Sequence, residues 1–175
     1  VVTTEVEEVQ IVDVDLDDDA HARAVVALLD HYARHPMGGG HPLAQSTREA
    51  LIPGLRAQGH YVGVLAFRGA TQVGLVNAFL GFSTFAARPL LNLHDVVVHE
   101  SCRRQGIGRR LLARIEAVAR ARGCCKLTLE VLSANQAALR AYASSGFASY
   151  TVGPHGGVAL FLEKTLTDAE EALTP

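Results

Sequence analysis

The chain reads as a single α/β domain, and three observations lead there. Short apolar or alternating runs recur between longer helical patterns along its whole length. One such run, Leu91 to Val98, feeds a glycine-containing turn that opens an amphipathic helix. About half of the 175 residues are apolar (49%), enough for one sizeable core, and no repeat or low-complexity tract divides it.

Each element follows from local chemistry. Val6 to Val14 alternates weakly and reads as a first strand. Asp17, Asp18 and Asp19 supply caps and negative charge for a helix from about Ala20 to Arg34. Pro36 to Pro42 combines two prolines with a glycine run and reads as a loop. Ser46 or Thr47 is the expected cap of a second helix reaching about Gln58, with Pro53 predicting a kink or break. Tyr61 to Phe67 and Val73 to Phe82 form a predicted hairpin around Arg68 to Gln72. Leu91 to Val98 is a central strand, Gly106 to Arg122 a helix and Lys126 to Val131 a strand. A helix from Asn135 to Ser145 precedes two last strands, near Ala148 to Val152 and Val158 to Lys164. The prediction is thus six to seven strands and about four helices.

Composition removes several function classes. Sixteen basic against eighteen acidic side chains leave a net charge of −2, with no global basic field for nucleic acid or membrane. No run approaches the ~20 apolar residues of a membrane span, and the first residues are acidic rather than signal-like. Three cysteines, two of them adjacent (Cys124 and Cys125), suit neither a disulfide framework nor a zinc site. A reducing cytoplasm is the expected location.

The segment that carries chemistry is Arg103-Arg104-Gln105-Gly106-Ile107-Gly108, set between strand and helix. A glycine turn at a helix N-terminus gathers free backbone N–H groups and the positive end of the helix dipole, a site for a pyrophosphate. Side chains at Gly106 and Gly108 would hold the anion away from the backbone. A P-loop is excluded because no Lys and Ser/Thr close the turn. A dinucleotide fingerprint would want a third Gly or Ala where Leu111 stands. The acidic Glu130 near the end of the next strand leaves that exclusion resting on the glycine pattern.

Arg103-x-x-Gly106-x-Gly108 resembles the acetyl-coenzyme A signature of the GCN5-related N-acetyltransferase (GNAT) family. A second landmark agrees: Asn135 opens a helix that carries Tyr142 seven residues later and ends in Gly146-Phe147. The resemblance runs from about Tyr61 to Leu166 and implies a mixed, mostly antiparallel twisted sheet whose central strands splay apart. It implies one N-acetyltransferase domain over residues 1–175, with an acetyl-CoA-binding core at about 61–166 and acceptor-site helices at about 15–60. Val96, Val97 and Val98 would supply backbone to the pantetheine arm and an amide to the thioester oxygen. Arg103, Arg104, Gln105, Gly106, Ile107, Gly108 and Arg109 would wrap the pyrophosphate, with Asn135 contacting the cofactor or serving only as a helix cap. Direct acetyl transfer to an amine would follow, with no metal. A homodimer is the family's habit.

The transfer requires a neutral amine and a proton for the departing thiolate, whose ordinary pKa values are ~10 and ~8.5. By resemblance Tyr142 is the general acid, the alternative being a Tyr that merely packs. Leu93-His94-Asp95-Val96-Val97-Val98 resembles the diamine acetyltransferase branch, with His94 in place of its first acidic residue. His94 is a candidate general base or a His satisfied within the sheet; Asp95 is a base, an orienter or an ion-pair partner. Arg110 and Arg114 share a helix face that a 3′-phosphate of CoA can use, against a merely solvated face for Arg114 and Arg120. His31 and His35 have metal-ligand spacing but lack a third ligand. The expected acceptor is a small-molecule primary amine. The alternatives are a protein or peptide amine, and a non-catalytic acyl-CoA sensor.

Overall fold

The computed structural model describes residues 7–151 and 159–164. They build β1 (Val9–Asp13), α1 (Asp19–Ala33), α2 (Gln45–Ala57), β2 (Tyr61–Arg68), β3 (Thr71–Ser83), β4 (Arg88–Val98), α3 (Ile107–Ala121), β5 (Leu127–Leu129) and α4 (Gln136–Ser144). The strands lie in chain order, β1 to β4 antiparallel and β5 parallel to β4. This is the mixed, mostly antiparallel sheet that the sequence led us to expect. None of the described helices is long and apolar enough to cross a membrane.

Strand alternation splits the core into two layers. On one face Val64, Ala66, Val76, Ala78, Leu91 and Leu93 pack against Ile107, Leu111 and Ile115 of α3. Those α3 positions recur every four residues, which places them on one side of the helix. On the other face Leu65, Leu75 and Val97 pack against Ala24, Val25 and Leu28 of α1 and Leu55 of α2. Full burial of each such Leu or Ile contributes about 1.5–3 kcal/mol. Gly74 permits the close approach of α3, because a Cβ there would lie 2.8 Å from Leu111 Cδ1 and 3.1 Å from the Val97 carbonyl oxygen.

Several details depart from expectation. The cap of α2 is Ala44, with no side-chain cap bond, rather than Ser46 or Thr47. The helix also runs through Pro53 to Ala57 without a break, so tertiary packing outweighs the lost donor. The loop after α1 contains a short 3-10 turn, Pro36–Gly38, capped by His35. The described residues form five strands rather than six or seven. Among the described residues, 148–150 and 159–164 carry no strand, Thr151 makes a single bridge, and Ala159 N–H donates to the Tyr150 carbonyl. Val152 and Val158, which end and begin those two predicted strands, lie outside the described residues.

Candidate active site

The site begins with an irregularity in β4. Asn77 pairs with Asp95 and Ala78 with Leu93, so His94 is an extra residue opposed by none, a β-bulge. Leu91 and Leu93 face α3 before it, and Val96 and Val98 do so after it. The bulge therefore preserves the apolar face while turning His94 and Asp95 towards the other layer. The break in the sequence alternation, Leu91, Leu93, then Val96, Val98, is the signal that would have revealed it.

On its other edge β4 pairs with β5 only from Leu91 to Leu93; past Leu129 the ladder ends among the described residues. His99 N–H donates to the Val73 carbonyl. Strand alternation then directs the Val97 amide to β3 and those of Val96 and Val98 to the open edge. Val97 is buried in the α1-facing layer. The three valines thus differ: two offer backbone to the opening, and the third holds the sheet.

Behind that edge lies a buried polar chain. The Tyr61 hydroxyl donates to Asn77 Oδ1 at 2.9 Å, and Asn77 Nδ2 donates to Asp95 Oδ2 at 3.0 Å. Burial pushes the Asp95 carboxyl above its ordinary pKa, opposed by the Asn77 hydrogen bond and the neighbouring His94. Tyr142 is pushed up to about 12 by burial, then by Tyr32 and Asp95. Tyr61 and Tyr32 are raised by burial and by the same carboxylate. These mutual effects bring Tyr32 of α1, Tyr61 of β2, Asp95 of β4 and Tyr142 of α4 into one neighbourhood. His94 is exposed, its ring edge on Phe79 with centroids 5.0 Å apart. Tyr142 also packs edge-on against Phe147, with centroids 5.8 Å apart. Asn135 caps α4, its Oδ1 accepting from Ala138 N–H at 3.1 Å.

The glycine turn leads from the β4 edge into α3. A 3-10 turn, Glu100–Cys102, precedes it, and Arg103 Nε donates to the Val98 carbonyl at 3.4 Å. Arg104 is held in the left-handed region (φ 61°), as is Gly106 (φ 77°), the residue before α3. Gln105 donates to the Ser101 carbonyl and accepts from Arg68 at the end of β2. Ile107 is buried and anchors the helix start in the core. A Cβ at Gly108 would reach Val98 Cγ2 at 3.6 Å, an ordinary contact. No side chain caps α3 among the described residues, so its first N–H groups face outward with the helix dipole behind them. Arg104 and Arg109 are exposed beside them.

Other expectations are reassigned. Arg110 Nη2 donates to the Val9 carbonyl at 2.8 Å and Arg114 pairs with Asp13 at 2.6 Å, so both tie α3 to β1 rather than standing free for a phosphate. Arg120 pairs with Glu116 along the helix. His31 stacks on His99 with centroids 4.3 Å apart, and burial lowers its pKa. His35 accepts from Met37 N–H. Asp18 caps α1 through Ala20 and His21, which lowers its pKa. The sequence did not single out Asn77, Tyr61, Tyr32 or Arg68; the buried Asn77 in an otherwise apolar run was their one visible sign.

Known proteins share the sequence family and the fold. The acetyltransferase (GNAT) family model matches residues 21–147. A thialysine N-epsilon-acetyltransferase from Bos taurus is 33% identical over 79 residues, which are 45% of this chain. The match spans about half (46%) of that relative's length. A probable acetyltransferase of solved structure superposes with a TM-score of 0.73 at 23% identity, covering 89% of this chain and 99% of that one. An aminoglycoside acetyltransferase from an uncultured soil metagenomic sample, solved with sisomicin, also gives 0.73, at 18% identity over 91% of this chain and 97% of its own. An aminoglycoside N-acetyltransferase in complex with CoA gives 0.67 at 17% identity, over 91% and 96%. At these identities the solved structures establish the shared fold. With the family model spanning most of the sheet and α1 to α4, the chain belongs to the GNAT family of acetyltransferases.

Proposed function

We propose that this chain is an acetyl-CoA-dependent N-acetyltransferase that passes acetyl directly to a primary amine of a small molecule. The observation that carries the reading is the alignment of the open β4 edge with the uncapped N-terminus of α3. The Val96 and Val98 backbone pairs with the pantetheine arm as a strand would. The first N–H groups of α3, with Arg103, Arg104, Gln105, Gly106, Ile107, Gly108 and Arg109 around them, receive the pyrophosphate. The arm then ends near the bulge, where a backbone N–H stabilises the thioester oxyanion. The acceptor enters from the α1 and α2 side, with residues of about 15–60 forming its rim.

Asp95 accepts the amine proton, because burial has raised its affinity for one. His94, exposed at the bulge, tunes Asp95 and contacts incoming substrate. The nitrogen attacks the thioester carbon, and collapse of the tetrahedral intermediate breaks the C–S bond. Tyr142, which keeps its proton throughout the neutral range, donates to the departing sulfur and is reprotonated from solvent. The thialysine and aminoglycoside acetyltransferases among the similar proteins support a small-molecule amine.

Free-thiol release is the direct test, with acetyl-CoA and a panel of polyamines, amino acids and aminoglycosides. Tyr142→Phe should retain cofactor affinity and lose about 10²–10⁴-fold in kcat, the range of a single acid–base group. If wild type binds acetyl-CoA and acetylates no amine, the chain is an acyl-CoA sensor.

A further inference from the structure

Asn77 lies in the middle of β3, where β4 bulges, and is 2% exposed. An amide buried among apolar strands is costly unless its polar atoms are paired, and a Leu, with the same branched outline, would avoid that cost. Both ends of this amide are occupied, by Tyr61 and Asp95. The partly buried Tyr61 phenol, pushed well above its ordinary pKa by desolvation, keeps its proton near neutrality. Its hydrogen has the Asn77 oxygen as acceptor, so the Asn77 amide must turn its N–H₂ group to the carboxylate. Asp95 is thereby held by Oδ2, and Oδ1 is left for the amine.

We infer that Asn77, oriented by Tyr61, is a positioning residue that fixes the Asp95 carboxylate for proton transfer. The inference rests on the proposed role of Asp95 as base. The groups facing that carboxylate are His94 on its own strand, Asn77 on β3, Tyr61 on β2, Tyr32 on α1 and Tyr142 on α4. The three phenols, all raised, keep their protons near neutrality, and His94 is taken out of the comparison by substitution.

The test is the pH profile of kcat/KM for the amine at saturating acetyl-CoA, recorded with and without His94→Gln. Asn77→Leu should move the acid limb upward by roughly one pH unit, the effect of losing a hydrogen bond to a charged group. Tyr61→Phe should move it the same way by less, and KM for acetyl-CoA should stay within about twofold. An unmoved acid limb in folded Asn77→Leu would overturn the inference, since packing alone would then explain Asn77. Tyr61→Phe, which removes a single hydroxyl, decides in the same manner if Asn77→Leu fails to fold. Asp95→Asn separates the two levels. Undiminished activity there sinks the proposed base itself, whereas lost activity with an unmoved Asn77→Leu limb sinks only the positioning role.

Discussion

At Asp95 the proposed function and stability pull in opposite directions. It lies among phenols with one hydrogen bond from Asn77, and burial disfavours its charge. A carboxyl whose folded pKa is raised binds its proton more tightly when native. It therefore favours folding at pH below its unfolded value and ceases to do so as pH rises through the folded one. Asp95→Asn should accordingly raise Tm at pH 7 to 8 relative to wild type, the gain shrinking as pH falls through the raised folded value and vanishing below the ordinary carboxylate range near ~4. Parallel melts of the two proteins across pH check this; a gain largest in acid would contradict the burial argument. Arg104 shows strain of another kind, a non-glycine residue in the left-handed region. Such a conformation persists where its surroundings over-determine it, here through Gln105 held by Ser101 and Arg68.

At the scale of elements, the site depends on how β4 meets its neighbours. The extra residue at His94 lets Leu91, Leu93, Val96 and Val98 share one core while Asp95 faces the other layer. The parallel pairing with β5 lasts only three residue pairs, which is what leaves the Val96 and Val98 amides open. Helix α3 must begin beside that opening, and Gly74 allows it. Gly74→Ala would drive a methyl into Leu111 and the Val97 carbonyl. We expect destabilisation of about 1–3 kcal/mol, the usual cost of overpacking, together with weaker acetyl-CoA binding. Urea unfolding measures the first and calorimetric titration the second. Equal stability would mean that α3 can shift freely on the sheet.

For the molecule as a whole, the two layers have separate tasks. The α3 layer carries the glycine turn, the proposed pyrophosphate seat, on the larger apolar cluster. The α1 and α2 layer carries Tyr32 and Tyr61 towards Asp95. A ligand lying along the β4 edge would bridge both and bind only the folded chain. At about 100 times its dissociation constant acetyl-CoA should then add roughly 2.7 kcal/mol of stability. Melting in acetyl-CoA, CoA, NAD and ATP tests this, with a rise expected for the first two alone. A rise with NAD or ATP instead would reassign the Arg103 to Gly108 turn.

The sequence alone determined the α/β class, the helices near α1, α3 and α4, and the glycine turn. Each rests on periodicity, capping or glycine chemistry within a few residues of chain. The family likewise followed from two short motifs of fixed spacing. Tertiary structure decided the rest, because it depends on partners distant in sequence. The Val97 amide points to β3 and those of Val96 and Val98 away from it, since the pairing with β3 fixes the direction of each. Arg110 and Arg114 serve β1, since that strand lies across their helix face. The composition of residues 159–164 predicts a strand, whereas among the described residues that segment carries none. Asn77 became part of the site only when β2, β3 and β4 aligned Tyr61, Asn77 and Asp95 in one hydrogen-bonded row.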